Sequence, residues 1–130
     1  MDIKTFYEKY IALIERRYNV YHELYPEYTD SWYVFTELQK EVIEAQDELK
    51  DNNKIYLEDE LWDILWDYMV LLQLLQKEWK ITSTESVFQR SLHKFSERIN
   101  AKEQGILRDD VKKIQKKHLA DEHNKLYWSK

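Results

Sequence analysis

A chain of 130 residues fits one domain, and a 43% apolar share with five Trp and ten Tyr is enough to build a core. A formal net charge of −5 argues against a general nucleic-acid binder, and the absence of Cys excludes a disulfide framework and any thiolate metal site. One Gly and one Pro leave little turn chemistry, so long helices are expected.

The first helix is expected from about Ile3 to Leu24, with Phe6, Tyr10, Ile14, Tyr18 and Tyr21 as its apolar face. Its opening stretch, MDIKTFYEKY, is charged throughout, unlike a signal peptide. Pro26, Thr29 and Asp30 mark a break and a new N-cap. A second helix follows from about Ser31 to Leu49, striped by Phe35, Leu38, Val42, Ala45 and Leu49. Asp51-Asn52-Asn53-Lys54 reads as a polar turn, and a third helix as running from about Leu57 to Trp79. Its most apolar run, Met69 to Leu75, is interrupted by Gln73 and falls far short of the roughly 20 residues that span a bilayer. Thr82-x-x-Glu85 has the form of a capping box opening a fourth helix, which carries Val87, Leu92, Phe95 and Ile99 and ends near Gly105. From Ala101 onward there are eight Lys/Arg against five acids, with a weak apolar pattern through Ile106, Leu107, Val111, Ile114 and Leu119. That segment is expected to be a peripheral helix or a partly disordered tail. The fold expected is all-α: an antiparallel four-helix bundle-like core over 1–105, with a basic C-terminal helix or tail over 106–130. A soluble, cytoplasmic protein is expected.

Chemistry points to two acid pairs, Glu41-x-x-Glu44 and Glu60-x-x-Asp63. An i,i+3 spacing puts both members of each pair on one helix face, and the turn between the helices brings the pairs together. On the second helix Glu37, Glu41, Glu44 and Glu48 share a sector beside the apolar stripe; on the third, Glu60, Asp63 and Asp67 do the same on a helix apolar almost all round. Like charges at i,i+4 cost about 0.2–0.5 kcal/mol per pair, and Glu37/Glu41, Glu44/Glu48 and Asp63/Asp67 are three such pairs. A solvated acidic face is the ordinary reading for Glu37, Asp47, Glu48, Asp51, Glu58 and Asp59. For the quartet Glu41, Glu44, Glu60 and Asp63 a divalent cation is the better account, because hard cations select clustered oxygen ligands. The four His residues show no metal spacing.

The segments Glu37-Leu-Gln-Lys-Glu-Val-Ile-Glu-Ala and Leu57-Glu-Asp-Glu-Leu-Trp-Asp-Ile-Leu-Trp resemble the MazG-like nucleoside triphosphate pyrophosphohydrolases, whose signature is E-x-x-E, a spacer, then E-x-x-D. The resemblance extends to Lys94-Phe-Ser-Glu-Arg98, which matches a Lys and an Arg four residues apart in that family, so it covers roughly Trp32 to Arg98. It implies hydrolysis of a (deoxy)nucleoside triphosphate to the monophosphate and pyrophosphate, with Mg²⁺ (or Mn²⁺) held by Glu41, Glu44, Glu60 and Asp63. Glu41, with Glu44 second, would take the proton of the attacking water; Lys94 and Arg98 would grip phosphates. It implies a homodimer or homotetramer as well; on the net charge, no nucleic-acid partner is expected. Relatives often have Gly inside both acid pairs; Ile43 and Trp62 stand there in this chain, so Trp62 is a candidate for stacking on the base and the base preference is open.

Three rivals remain. One is an all-α pyrophosphatase restricted to dUTP or dCTP. A di-iron carboxylate bundle typically needs Glu-x-x-His, and the residues three before each His are Asn19, Arg90, Gln115 and Ala120. The third is a non-catalytic helical module that binds nucleotide or assembles with a partner.

Overall fold

The structure is a computed structural model and describes residues 1–128. Among these residues it is all-helical: α1 Ile3–Leu24, α2 Ser31–Asp47, α3 Lys54–Lys77, α4 Thr84–Glu103 and α5 Arg108–Tyr127, with a 3₁₀ turn at Pro26–Thr29 and no strand. None of the helices is long and apolar enough to cross a membrane. The chain forms two compact units, Met1–Thr84 and Glu85–Lys130. That division rests on contacts; the one expected at 105/106 rested on family likeness and composition.

In the first unit α2 and α3 form an antiparallel hairpin. Asp30 caps α2 by accepting the Tyr33 N–H at 3.2 Å. The turn is built by two asparagines: Asn52 adopts a left-handed φ of 56°, and Asn53 Nδ2 donates to both the carbonyl oxygen and Oε2 of Glu48, each at 2.7 Å. At the open end the Ser31 hydroxyl and N–H donate to the carboxylate of Glu78, at 2.7 and 3.1 Å. α1 runs parallel to α3. Phe6 meets Trp62, Tyr10 meets Trp66, and Glu15 accepts from Gln73 at 2.6 Å and Lys77 at 3.3 Å. The core is Ile14, Val34 and Ala45 against Met69, Val70, Leu71, Leu72 and Leu74. Only the C-terminal half of α3 is thus enclosed; its first half, which carries the acids, leaves Leu61, Trp62 and Leu65 exposed.

The second unit is also an antiparallel hairpin. Arg90 of α4 binds Glu122 of α5, and Arg98 Nε donates to Gln115 Oε1 at 2.9 Å. Gly105 takes a φ of +76° in the connection, the left-handed conformation expected of a residue just past a helix end. The segment from 106 is therefore helical over Arg108–Tyr127; Ser129 and Lys130 lie outside the described residues. Other helix ends shift slightly. α3 starts at Lys54 rather than near Leu57, and α4 starts at Thr84, later than a Thr82 cap implies; the Thr84 N–H instead donates to the Gln76 side chain at 3.1 Å.

Candidate metal centre

The antiparallel α2–α3 hairpin brings Glu41 opposite Glu60 and Asp63. One carboxylate oxygen of each lies within 4.8 Å of the others. Two of these residues have a buried oxygen that meets no hydrogen-bond partner, Glu41 Oε2 and Glu60 Oε2. Buried acceptors are normally satisfied, because an unpaired one costs the desolvation of the group. The neighbouring acids of α2 differ. Glu37 pairs with Lys40 at 3.0 Å and Glu48 is tied to Asn53, so both have ordinary structural roles. Glu44 is exposed and stands outside the tight trio, but it shares a hydrogen bond with the Glu41 carboxyl.

The electrostatics follow from this crowding. Burial, then the hydrogen bond to Glu44, then the charges of Glu44, Asp67 and Asp63 push Glu41 up to about 7. Burial raises Glu60 as well, helped by Asp63 and Glu44, and Asp63 is raised by burial, Asp59 and Glu44. Three carboxyl groups that all resist ionisation, with orphaned oxygens and no cation paired to them, fit a divalent ion chemically: it would satisfy the oxygens and reverse the repulsion.

Two residues nearby were not among the sequence candidates. Asp67, one turn beyond Asp63, is pushed up to about 6 by burial against the opposing pull of Arg17, with Asp63, Glu37 and Glu44 adding repulsion. Arg17 comes from α1. Its Nη2 donates to the Tyr28 carbonyl at 3.1 Å, its guanidinium lies 4.6 Å from the Tyr21 ring centre, and its Nη1 is buried without a partner. The available signal was a lone cation in the Tyr10, Ile14, Tyr21 face of α1. Tyr10 closes this side. Burial and the charges of Asp63 and Asp67 hold its hydroxyl above the usual range.

Trp62 is half exposed and packs against Phe6 and Tyr10, with ring centres 5.4 and 6.1 Å apart. Ile43 is exposed. Lys94 and Arg98 belong to the second unit. Lys94 is exposed, and the Arg98 side chain is held by Gln115. His93 pairs with Glu97 at 3.1 Å.

A family model for the MazG nucleotide pyrophosphohydrolase domain matches residues 33–102, more than half of the chain. The chain belongs to this family. The MazG match spans both acid pairs as well as Lys94 and Arg98, and it leaves out α1, with Tyr10 and Arg17, and α5. No curated protein and no solved structure gives a significant match.

Proposed function

We propose that the protein hydrolyses (deoxy)nucleoside triphosphates to the monophosphate and pyrophosphate, with Mg²⁺, or else Mn²⁺, held by Glu41, Glu60 and Asp63 and with Glu44 beside them. The observation that carries this reading is the pair of orphaned oxygens, Glu41 Oε2 and Glu60 Oε2, in a carboxylate trio inside the MazG-matched segment.

When bound, the cation supplies charge neutralisation at the α and β phosphates and makes a water more acidic. The side chains do the rest. Glu41 accepts the proton of the attacking water. Its hydrogen bond to Glu44 gives that proton a second carboxylate to share. The water oxygen bonds to the α phosphorus as the bond to the α,β-bridging oxygen breaks, and pyrophosphate leaves with the electron pair. Lys94 and Arg98 are assigned to the substrate's phosphates on their match to the family pair. Trp62 offers its exposed face to the base, backed by Phe6 and Tyr10. With Ile43, it is the residue most able to set base preference, so a dUTP- or dCTP-restricted enzyme is the second reading and broad nucleotide-pool housecleaning the first.

The assembly proposed is a homodimer or homotetramer that completes a four-helix bundle-like core. Phe35, Val42 and Ile43 on α2 and Leu61 and Leu65 on α3 are exposed apolar residues that such an interface would cover. A cytoplasmic location belongs to the same proposal. The test is pyrophosphate release from each common nucleoside triphosphate, with Mg²⁺ and with EDTA. Metal-dependent turnover of at least one, lost in Glu41→Gln and Asp63→Asn, is expected. No turnover of any would leave the non-catalytic module.

A further inference from the structure

α4 and α5 each carry three cations at i, i+4 and i+8: Arg90, Lys94 and Arg98 on one, Arg108, Lys112 and Lys116 on the other. All six line one cavity of about 750 Å³ within the second unit. The rows are offset. Arg98 meets Gln115 near the middle and Arg90 meets Glu122 toward one end, so the cations form one continuous strip.

The strip has a built centre. Gln115 is only 9% exposed, and its amide is fully engaged: Oε1 accepts from Arg98 Nε, while Nε2 donates to the Lys94 carbonyl at 3.0 Å and to Glu97 Oε1 at 3.3 Å. That bond fixes the Arg98 guanidinium by its Nε and leaves the two terminal nitrogens as a fork for an anion. Two acids line the cavity, and both have partners. Glu122 binds Arg90, and Glu97 takes His93 and Gln115. Lys94, Arg108, Lys112 and Lys116 have no carboxylate partner among the described residues. In a chain whose net charge is −5, like cations stacked at helical spacing around one concavity destabilise their helices unless an anion neutralises them.

We propose that this groove binds a short phosphate chain, pyrophosphate or a linear triphosphate, and that Lys112 and Lys116 of α5 hold it together with Lys94 and Arg98. The identity of the anion rests on the pyrophosphohydrolase reading; the groove itself does not. α5 lies outside the MazG-matched segment, so the family match does not assign this half of the grip. The four cations that hold it fall within about seven residues of helix, roughly 10 Å, which suits a short phosphate chain. A longer polyanion would meet the chain's excess of acids.

The test is calorimetric titration of the whole chain with pyrophosphate and with tripolyphosphate in EDTA, which silences the carboxylate centre. Wild type binds both. Lys112→Gln/Lys116→Gln weakens binding about tenfold or more and flattens its salt dependence. Lys113→Gln/Lys117→Gln, on exposed positions of the same helix that do not line the cavity, leaves it unchanged. Circular dichroism and melting establish that both double variants are folded. Equal weakening in the two, or no metal-free binding by wild type, overturns the proposal, as does a single-stranded oligonucleotide that binds more tightly and displaces tripolyphosphate. Phosphate-chain binding that persists in a chain turning over no nucleotide supports the groove and overturns the hydrolase reading, so the two fail separately.

Discussion

Replacing Glu41 by Gln should stabilise the metal-free protein at alkaline pH. The Glu41 carboxyl sits at about 7 in the fold against 4.5 when unperturbed. Between those values the folded state holds a proton that the unfolded state has released. Stability therefore falls as pH rises from 4.5 through 7, and above 7 the full penalty applies. At 1.36 kcal/mol per pH unit the upper bound is about 3 kcal/mol; the site faces solvent on one side, and screening reduces this to about 1–2 kcal/mol. For a chain of this length, an unfolding entropy of about 0.27 kcal/mol/K converts that to a rise in melting temperature of about 4–7 °C. The assay is thermal melting of wild type and Glu41→Gln in EDTA at pH 5 and pH 8. The variant should gain at pH 8 and far less at pH 5, where the folded state keeps its proton and the unfolded state has only begun to release it. Added Mg²⁺ should raise the wild-type melting temperature at pH 8 and the variant's far less. A variant no more stable than wild type at pH 8, or gaining equally at both pH values, would refute the reasoning.

Further outcomes follow from the same geometry. Asp63→Asn or Glu60→Gln should abolish the Mg²⁺-dependent rise in melting temperature and lower turnover by about two orders of magnitude or more, the equivalent of several kcal/mol of charge stabilisation. Arg17→Met should raise the proton affinity of Asp67 above its present value of about 6, because the guanidinium is what lowers it; a carbon-detected NMR titration of the Asp67 carboxyl reads this directly. Leu74→Ala, at a site 1% exposed, should cost about 2–5 kcal/mol in chemical denaturation. Asn53→Ala removes both bonds to Glu48 that close the α2–α3 turn and should cost about 1–2 kcal/mol in the same assay.

The sequence spoke most clearly where one residue type and one spacing decide the structure. The bounds of α1 follow from its apolar periodicity, and the break before α2 from Pro26 and Asp30. Glu41, Glu60 and Asp63 were legible because i,i+3 spacing on two helices joined by a short polar turn leaves them little choice but to converge. Charge alone did not separate Glu44 from its neighbours. Its place outside the trio depends on how the hairpin packs, which no wheel resolves. Arg17 and Asp67 were harder still, since their interaction joins α1 to α3 across most of the first unit's sequence. The pairing of α5 with α4 was hidden for another reason. Its centre is a buried glutamine, and hydropathy counts Gln115 as surface.

The central claim is that this carboxylate centre cleaves the α,β bridge of a nucleoside triphosphate. The most direct measurement is phosphorus NMR of the products when the protein is incubated with a triphosphate it turns over, with Mg²⁺ and with EDTA. The account predicts monophosphate and pyrophosphate in equal amounts with Mg²⁺, and neither with EDTA or with Asp63→Asn. Release of diphosphate and inorganic phosphate, or cleavage that survives EDTA or the loss of Asp63, would contradict it.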